Sequence, residues 1–347
     1  MKNKLFIIGL CCLALLGCKK SDKRVLTSAT GSIYELLTVI DNRYWDCAAG
    51  DSLRELLEAP TPCLPQVESY FTVNQAPLNA FDNLLMPTRN ILIVDVNPEK
   101  YTQTKIGYST DRWSHPQAVV RVCCANQEAF AEFVAQYGQK IRKYFVDQEL
   151  LRQAAFYKTY CNHKASDEIY KKFGIEILIP NDMVKIDESQ DFYWVCDARG
   201  QVRKDVVVYS YPYTDRNTFT LDYLLHKRDS ILGSHVKGGM EGSHIVTERR
   251  HILPQLNEIF VNDRGYCAEV RGLWKMQDGQ AMGGPFVSHS RVDEINHRVI
   301  TVESFIYGAG TKKRNPMRQM EAVLYTVKLP QEQNALPAIE VHQSPND

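Results

Sequence analysis

Short apolar runs separated by turn residues dominate the first third of the chain. The run from Ile33 to Tyr44 suits a buried strand, and Ser52 to Leu57 predicts a short helix that ends before Pro60. Four further apolar runs predict strands, the last two as a hairpin: Val67–Val73, Asn90–Val96, Lys105–Trp113 and Ala118–Cys124. We therefore expect a mixed N-terminal half over residues 33–135.

A helical period replaces this pattern after Asn126. Apolar side chains then recur at spacings of three and four, which places them on one helical face: Phe130, Phe133, Val134, Tyr137, Ile141 and Phe145. We predict a connecting helix over residues 136–174, with an interruption near Gly138 and with Gly174 as its C-cap.

The C-terminal half, residues 175–330, repeats the mixed pattern. Strands are predicted at Ile175–Ile179, Asp191–Cys196 and Val206–Tyr211, then an antiparallel meander at Tyr266–Met276, Pro285–Val292 and Arg298–Tyr307. Helices are predicted after Thr220 and at Pro316, and residues 331–347 form a polar tail. The predicted fold class is α+β, with two mixed halves of largely antiparallel sheets joined by a long amphipathic helix.

The first residues have the pattern of a secretion signal. Lys2 and Lys4 precede an apolar run from Leu5 to Leu16 that is too short to span a membrane as a mature helix. Gly17 and Cys18 then supply the small residue and the thiol that bacterial lipoprotein processing requires. We predict a signal peptide over residues 1–17, a lipid-modified Cys18 and a flexible tether to residue 32.

The charge balance of the chain argues against nucleic acid as a partner. The 41 basic and 41 acidic residues cancel, so no net field attracts nucleic acid, and acyl chains on Cys18 are the expected attachment to a membrane.

Cys47 and Cys63 flank the first predicted helix and could close a disulfide loop, worth about 3 kcal/mol by chain entropy. The alternative is that both are small buried thiols.

One short motif suggests nucleophilic catalysis. Gly50-Asp51-Ser52-Leu53 matches the nucleophile block of the GDSL esterases, in which Ser52 would need a histidine base and a group that orients it. The late Asp-x-x-His block of those enzymes is missing. The alternative is a capping box, Ser52-x-x-Glu55, that starts a helix. We therefore assign no catalytic residue and keep an esterase-like hydrolase that uses Ser52 as the alternative function.

A basic segment before the last helix suggests anion binding. Cations at a helix N-terminus oppose the helix dipole unless an anion lies there, which makes candidates of Lys312, Lys313, Arg314 and Arg318. The alternatives are a solvated turn, or an Arg318 that bonds Glu321 one turn later. The histidines between residues 226 and 251 lack the spacing of a metal site, so we expect neither metal nor cofactor.

Longer segments carry a family resemblance: Gly50–Glu55, Val206–Asp215, Lys227–Asp229, Arg271–Trp274, Met282–Ser288 and Arg318–Leu324. On these the chain resembles an uncharacterised family of Bacteroides-type cell-envelope lipoproteins, a domain of unknown function. The resemblance implies a lipoprotein and assigns no residue a role. With Lys19-Lys20-Ser21 after Cys18 in place of acidic residues, we expect the periplasmic side of the outer membrane. The expected role is binding or assembly, with an envelope protein or an anionic ligand as partner.

Overall fold

The computed structural model describes residues 26–261 and 265–333. Its N-terminal part contains β1 (Thr27–Ser28), β2 (Glu35–Ile40), α1 (Asn42–Trp45), α2 (Ala48–Leu57), β3 (Thr72–Ala76), β4 (Asn90–Val96), β5 (Lys105–Thr110), β6 (Ser114–His115) and β7 (Ala118–Cys124). A 3-10 turn spans Leu78–Ala80. Two helices follow, α3 (Gln127–Thr159) and α4 (His163–Phe173).

The C-terminal part begins with three strands, β8 (Val184–Ser189), β9 (Phe192–Asp197) and β10 (Arg203–Pro212), and continues through α5 (Leu221–His235). Five strands and a helix complete it: β11 (His244–Glu248), β12 (Gln255–Phe260), β13 (Tyr266–Gln277), β14 (Gly283–Asp293), β15 (Arg298–Tyr307) and α6 (Arg314–Leu324). Further 3-10 turns lie at Arg216–Phe219 and Pro330–Glu332. In the described part, no helix is long and apolar enough to cross a membrane.

The predicted α+β class is confirmed, and the two large sheets differ in strand direction. The C-terminal sheet has eight antiparallel strands in the order β11-β13-β14-β15-β10-β9-β8, with β12 also paired to β13. The N-terminal sheet has the order β3-β2-β4-β7-β5, and its β3-β2-β4-β7 pairs are parallel. The expectation of a largely antiparallel N-terminal sheet is therefore wrong. The fully buried Asn90–Val96 run is typical of a parallel strand covered on both faces.

The long helix is continuous where an interruption was predicted. Gly138 lies inside α3, where a Cβ would stand 2.8 Å from Leu56 Cδ1, so its glycine permits α2 to pack closely. The break comes instead between α3 and α4, where the Asn162 side chain accepts from the Ala165 N–H as an N-cap. Gly174 ends α4 with φ 64°, in agreement with its predicted role.

One hydrophobic core joins the two halves. It contains Leu36 and Val94 of the N-terminal sheet, Val206 and Ile300 of the C-terminal sheet, and side chains of α3 and α6 between them. The opposite face of the C-terminal sheet is covered by α5. Residues 331–333 also pack on this body, since Gln331 donates to the Val292 carbonyl, so the predicted polar tail does not begin at 331. The remaining tail residues lie outside the described part.

Candidate functional site

A cleft of about 420 Å³ lies between the N-terminal and C-terminal halves. One wall is the α3 face from Gln139 to Leu150, and the other is formed by alternate side chains of β12, Gln255, Asn257 and Ile259. Side chains of β13 and α6 form the floor: Glu269, Arg271, Arg318, Glu321 and Tyr325. We call this the central cleft. Its walls come from both halves, so it exists only in the assembled fold.

The floor of the central cleft is a buried network of charges. Arg271 donates from Nε and Nη2 to the two carboxylate oxygens of Glu269, at 2.7 and 2.8 Å. The same guanidinium reaches Glu321, with Nη1 at 3.2 Å from Oε2. Arg318 donates from Nη1 to Glu321 Oε2 at 3.1 Å. Only 13% of the Arg271 side chain, 7% of Arg318 and 1% of Glu321 are exposed, so water screens these interactions little.

The network keeps both carboxylates ionised. Burial by itself raises the pKa of Glu269, but Arg271 and His289 outweigh it and hold the pKa well below its usual range. The pKa of Glu321 is also lowered, because Arg271 and Arg318 outweigh the effect of burial. A carboxyl group that stays ionised at neutral pH has no proton to donate, so the floor is a fixed array of charges rather than a general acid.

Simple sequence spacings place these side chains on shared faces in two pairs, and packing of α6 on the sheet brings the pairs together. Glu269 and Arg271 are two residues apart on β13 and therefore share one face of the sheet. Arg318 and Glu321 are three residues apart on α6 and therefore share one face of the helix. Because α6 packs against the sheet at this face, Glu321 lies between the two guanidinium groups.

Arg318 has donors left over for a ligand. Among the described residues, its hydrogen bonds come from Nη1 alone, and Nε and Nη2 make none. Its guanidinium lies 5.3 Å from the Tyr70 ring centroid, and that of Arg142 lies over the same ring at 4.3 Å. The central cleft therefore presents two guanidinium groups held by one tyrosine ring.

The basic segment that was predicted to bind an external anion contacts a carboxylate of the same chain. Glu68 accepts from the backbone N–H of Lys313 at 2.6 Å and from that of Arg314 at 3.1 Å, at the start of α6. Arg314 also donates from Nη1 to the Ser69 carbonyl, and Lys312 is exposed. Glu68 thus occupies the place expected for an external anion at Lys313 and Arg314. Of the four candidates, Arg318 is the one that reaches a cleft, and its predicted bond to Glu321 is confirmed.

Replacing Glu68 by alanine should lower the free energy of unfolding by about 1–2 kcal/mol, because α6 loses the carboxylate at its N-terminus. Chemical denaturation measures the loss. The exposed Glu99, replaced by alanine, is the matched control. Equal stability of the two variants would contradict the assigned role of Glu68.

The capping-box prediction for Ser52 is wrong. Helix α2 begins at Ala48, so Ser52 lies inside it, exposed, and its Oγ donates to the Ala48 carbonyl at 3.0 Å. Gly50 is required by packing, since a Cβ there would collide with the carbonyl oxygens of Tyr44 and Trp45 at the end of α1. Helix α2 thus begins four residues before the predicted start at Ser52, and α1 occupies the end of the run that was predicted as a strand to Tyr44.

Replacing Gly50 by alanine should destabilise the protein by about 1–3 kcal/mol through overpacking against α1. Gly107→Ala is the control, because no atom lies within 4 Å of a Cβ at that position. Ser52→Ala should leave stability nearly unchanged. Thermal unfolding of the three variants tests whether this motif is structural, and a fully stable Gly50→Ala protein would refute it.

The cysteine predictions have separate outcomes. Cys47 and Cys63 are both free thiols, so the predicted disulfide is not formed. The Cys47 Sγ donates to the Tyr44 carbonyl at 3.2 Å, and Cys63 is buried, as in the alternative of small buried thiols. Cys18 and the signal peptide lie outside the described residues, so lipid attachment stays a prediction.

Sequence reasoning missed most of the central cleft. Arg271 lies in a segment that carries the family resemblance without a role, and the sequence patterns predict no role for Glu269, Tyr70 or Arg142. The available signal was the alternation of charged and apolar residues in Ala268–Arg271, which puts two charges on one face of a predicted strand. Within the described ranges, no group of three or more His, Cys, Asp or Glu side chains could hold a metal ion.

Similarity to solved structures is weak. Ran-binding protein Mog1p of Saccharomyces cerevisiae is 7% identical over 45% of this chain and 90% of its own, with a TM-score of 0.28. A Bacteroides thetaiotaomicron protein is 9% identical over 45% of this chain and 44% of its own, with a TM-score of 0.24. The human StarD13 (DLC2) lipid transfer and protein localization domain is 7% identical over 42% of this chain and 88% of its own, with a TM-score of 0.21.

Two family matches divide the chain at the break between α3 and α4. Residues 29–158 match Domain of unknown function (DUF8532), and residues 162–326 match Domain of unknown function (DUF4837). No curated protein matches the chain. The predicted resemblance is thus supported at the level of an uncharacterised family. Residues from both matched ranges line the central cleft.

Proposed function

We propose that this protein is a lipid-anchored envelope protein that binds an anionic ligand in the central cleft. One observation carries the proposal: Arg318 is buried in the floor, fixed by Glu321, and keeps Nε and Nη2 without a partner among the described residues. A guanidinium fixed in this way is pre-organised for a carboxylate or phosphate.

Size and charge of the central cleft agree with such a ligand. Its volume of about 420 Å³ falls in the usual range for small-molecule sites. Four basic and three acidic side chains line it, a net charge of one positive: Arg142, Lys143, Arg271 and Arg318 against Asp147, Glu269 and Glu321. One negative charge on the ligand would balance this set.

The lining favours binding over catalysis. None of the described side chains that line the central cleft is a serine, threonine, cysteine or histidine. The two floor carboxylates are held ionised by arginines, which makes them poor proton donors. The geometry of Ser52 does not support the alternative hydrolase, because the Ser52 hydroxyl donates to the Ala48 carbonyl of its own helix.

The proposal includes a lipid anchor at Cys18. Acyl chains on Cys18 would hold the chain to the membrane, with the following residues as a tether to the described body, which begins at residue 26. We place the protein at the outer membrane, facing the periplasm. Replacing Cys18 by alanine should release it to the soluble fraction without changing ligand binding.

Calorimetric titration of the full-length protein with succinate and with inorganic phosphate tests the binding site. Arg318→Gln should weaken binding of the better probe by about 10- to 100-fold, because a charge-assisted hydrogen bond is lost. Arg142→Gln, at a half-buried position in the same cleft, should also weaken binding. Arg199→Gln, in the exposed turn between β9 and β10, is the control. No binding of either probe, or equal binding by all variants, would refute the proposal.

A further inference from the structure

The β12 wall of the central cleft is a free strand edge. Within residues 26–261 and 265–333, β12 forms strand pairs with β13 and with no other strand. Its sequence, Gln255–Phe260, contains no proline or lysine, its one charged side chain is the exposed Glu258, and Phe260 is 70% exposed. The unpaired side of β12 therefore offers backbone N–H and C=O groups to a further strand.

The other wall of the central cleft is a helix. The α3 face that carries Gln139, Arg142 and Val146 lies across the cleft from β12. A groove between a free strand edge and a helix is a recurrent site for extended peptides, which add a strand to the sheet. In that mode, backbone hydrogen bonds supply affinity and alternate side chains supply specificity.

The strand register decides which side chains a peptide would meet. Gln255 pairs with Arg271, and Asn257 pairs with Glu269, so the groove-facing side chains of β12 share a face with the charged floor. A strand added beside β12 would continue this face and direct every second side chain over the floor. An acidic side chain in that position suits Arg318 and Arg142.

We propose that the ligand of the central cleft is an extended peptide segment that pairs with β12 and directs an acidic side chain to Arg318. The inference rests on the proposed binding function and specifies its ligand. A second copy of this chain is a poorer occupant, because β12 directs Gln255, Asn257 and Ile259 into the groove and none of them is acidic.

The test uses a blocked peptide, acetyl-Thr-Val-Glu-Val-Thr-amide, titrated into the full-length protein. Replacing its glutamate by glutamine should weaken binding by at least about tenfold, since a charged hydrogen-bond acceptor is lost. Two further peptides carry N-methyl groups on alternate residues in complementary patterns. One pattern should bind nearly normally, and the other should lose most of its affinity because it removes the hydrogens that face β12.

The outcomes separate this inference from the proposed function. If succinate or phosphate binds in an Arg318-dependent manner while the peptide does not bind, the peptide inference falls and the proposed function stands. Equal binding by both methylated peptides would also overturn strand addition. If neither succinate nor phosphate binds, the proposed function falls, and the inference that rests on it falls too. A dimer in light scattering that Asn257→Pro dissociates would make a second copy the occupant and overturn the inference.

Discussion

Replacing Arg271 by methionine is expected to lower the free energy of unfolding by about 3–5 kcal/mol, the cost of breaking a buried ion pair by removing one partner. Arg271 bonds both Glu269 and Glu321, so its loss leaves two buried carboxylates, and Glu269 keeps hydrogen bonds to His289 and Asn257 but no arginine partner. Arg318 still reaches Glu321 but makes no hydrogen bond to Glu269. Denaturant unfolding at neutral pH measures the change.

The pH dependence of that loss is a second readout of the same variant. Both carboxyl groups have folded-state pKa values below their ordinary range, so their contribution to stability is present above about pH 4.3, the ordinary glutamate pKa, and is lost as the pH falls. The difference between wild type and Arg271→Met should therefore shrink on acidification. Arg199→Met, 66% exposed, should cost less than about 1 kcal/mol at every pH. A loss for Arg271→Met no larger than for this control would contradict the account.

Replacing Arg228 by methionine is expected to cost a similar amount, about 3–5 kcal/mol, on the other face of the C-terminal sheet. Arg228 lies in α5, donates from Nε and Nη2 to Glu303 on β15, and bonds Thr247 at 3.0 Å. Only 2% of its side chain is exposed, and none of Glu303 is. The variant leaves the Glu303 carboxylate buried without its cation, and it removes the guanidinium that lies 3.9 Å from the centroid of the Phe286 ring.

A second substitution distinguishes a lost ion pair from a damaged core. The double variant Arg228→Met with Glu303→Leu removes both charges, so it should recover most of the loss. Burial raises the pKa of Glu303, and Arg228 only partly opposes it. Because the folded pKa is raised, stability falls as the pH rises toward that pKa, and the single variant should suffer more at pH 8 than at pH 5. A double variant less stable than the single one would refute this explanation.

The local pattern of apolar runs and turn residues was sufficient to predict many of the strands and helices. The strand at Asn90–Val96 and the end of α4 at Gly174 lie where apolar runs and turn residues place them. The direction of β2, β4 and β7 was missed because parallel pairing is set by crossovers between distant segments. The unbroken run Ile91–Val94 did contain the signal of a doubly covered strand.

The candidate site depends on contacts that sequence spacing does not encode. The bond from Arg318 to Glu321 spans three residues and was predictable from the helix period. The bond from Arg271 to Glu321 spans 50 residues, and that from the Lys313 N–H to Glu68 spans 245. The basic residues at the start of α6 suggested an external anion or a solvated turn, and the anion found there is Glu68 of the same chain. Nothing in the local sequence identified Glu68 as that anion.

Hydrogen–deuterium exchange of the full-length protein, with and without the acidic pentapeptide, tests the central claim most directly. If the central cleft binds the peptide as proposed, exchange should slow in β12, Gln255–Phe260, and in α3 around Arg142. Arg318→Gln should abolish this protection at the same peptide concentration. Unchanged exchange in both elements, or protection that persists in Arg318→Gln, would contradict the account.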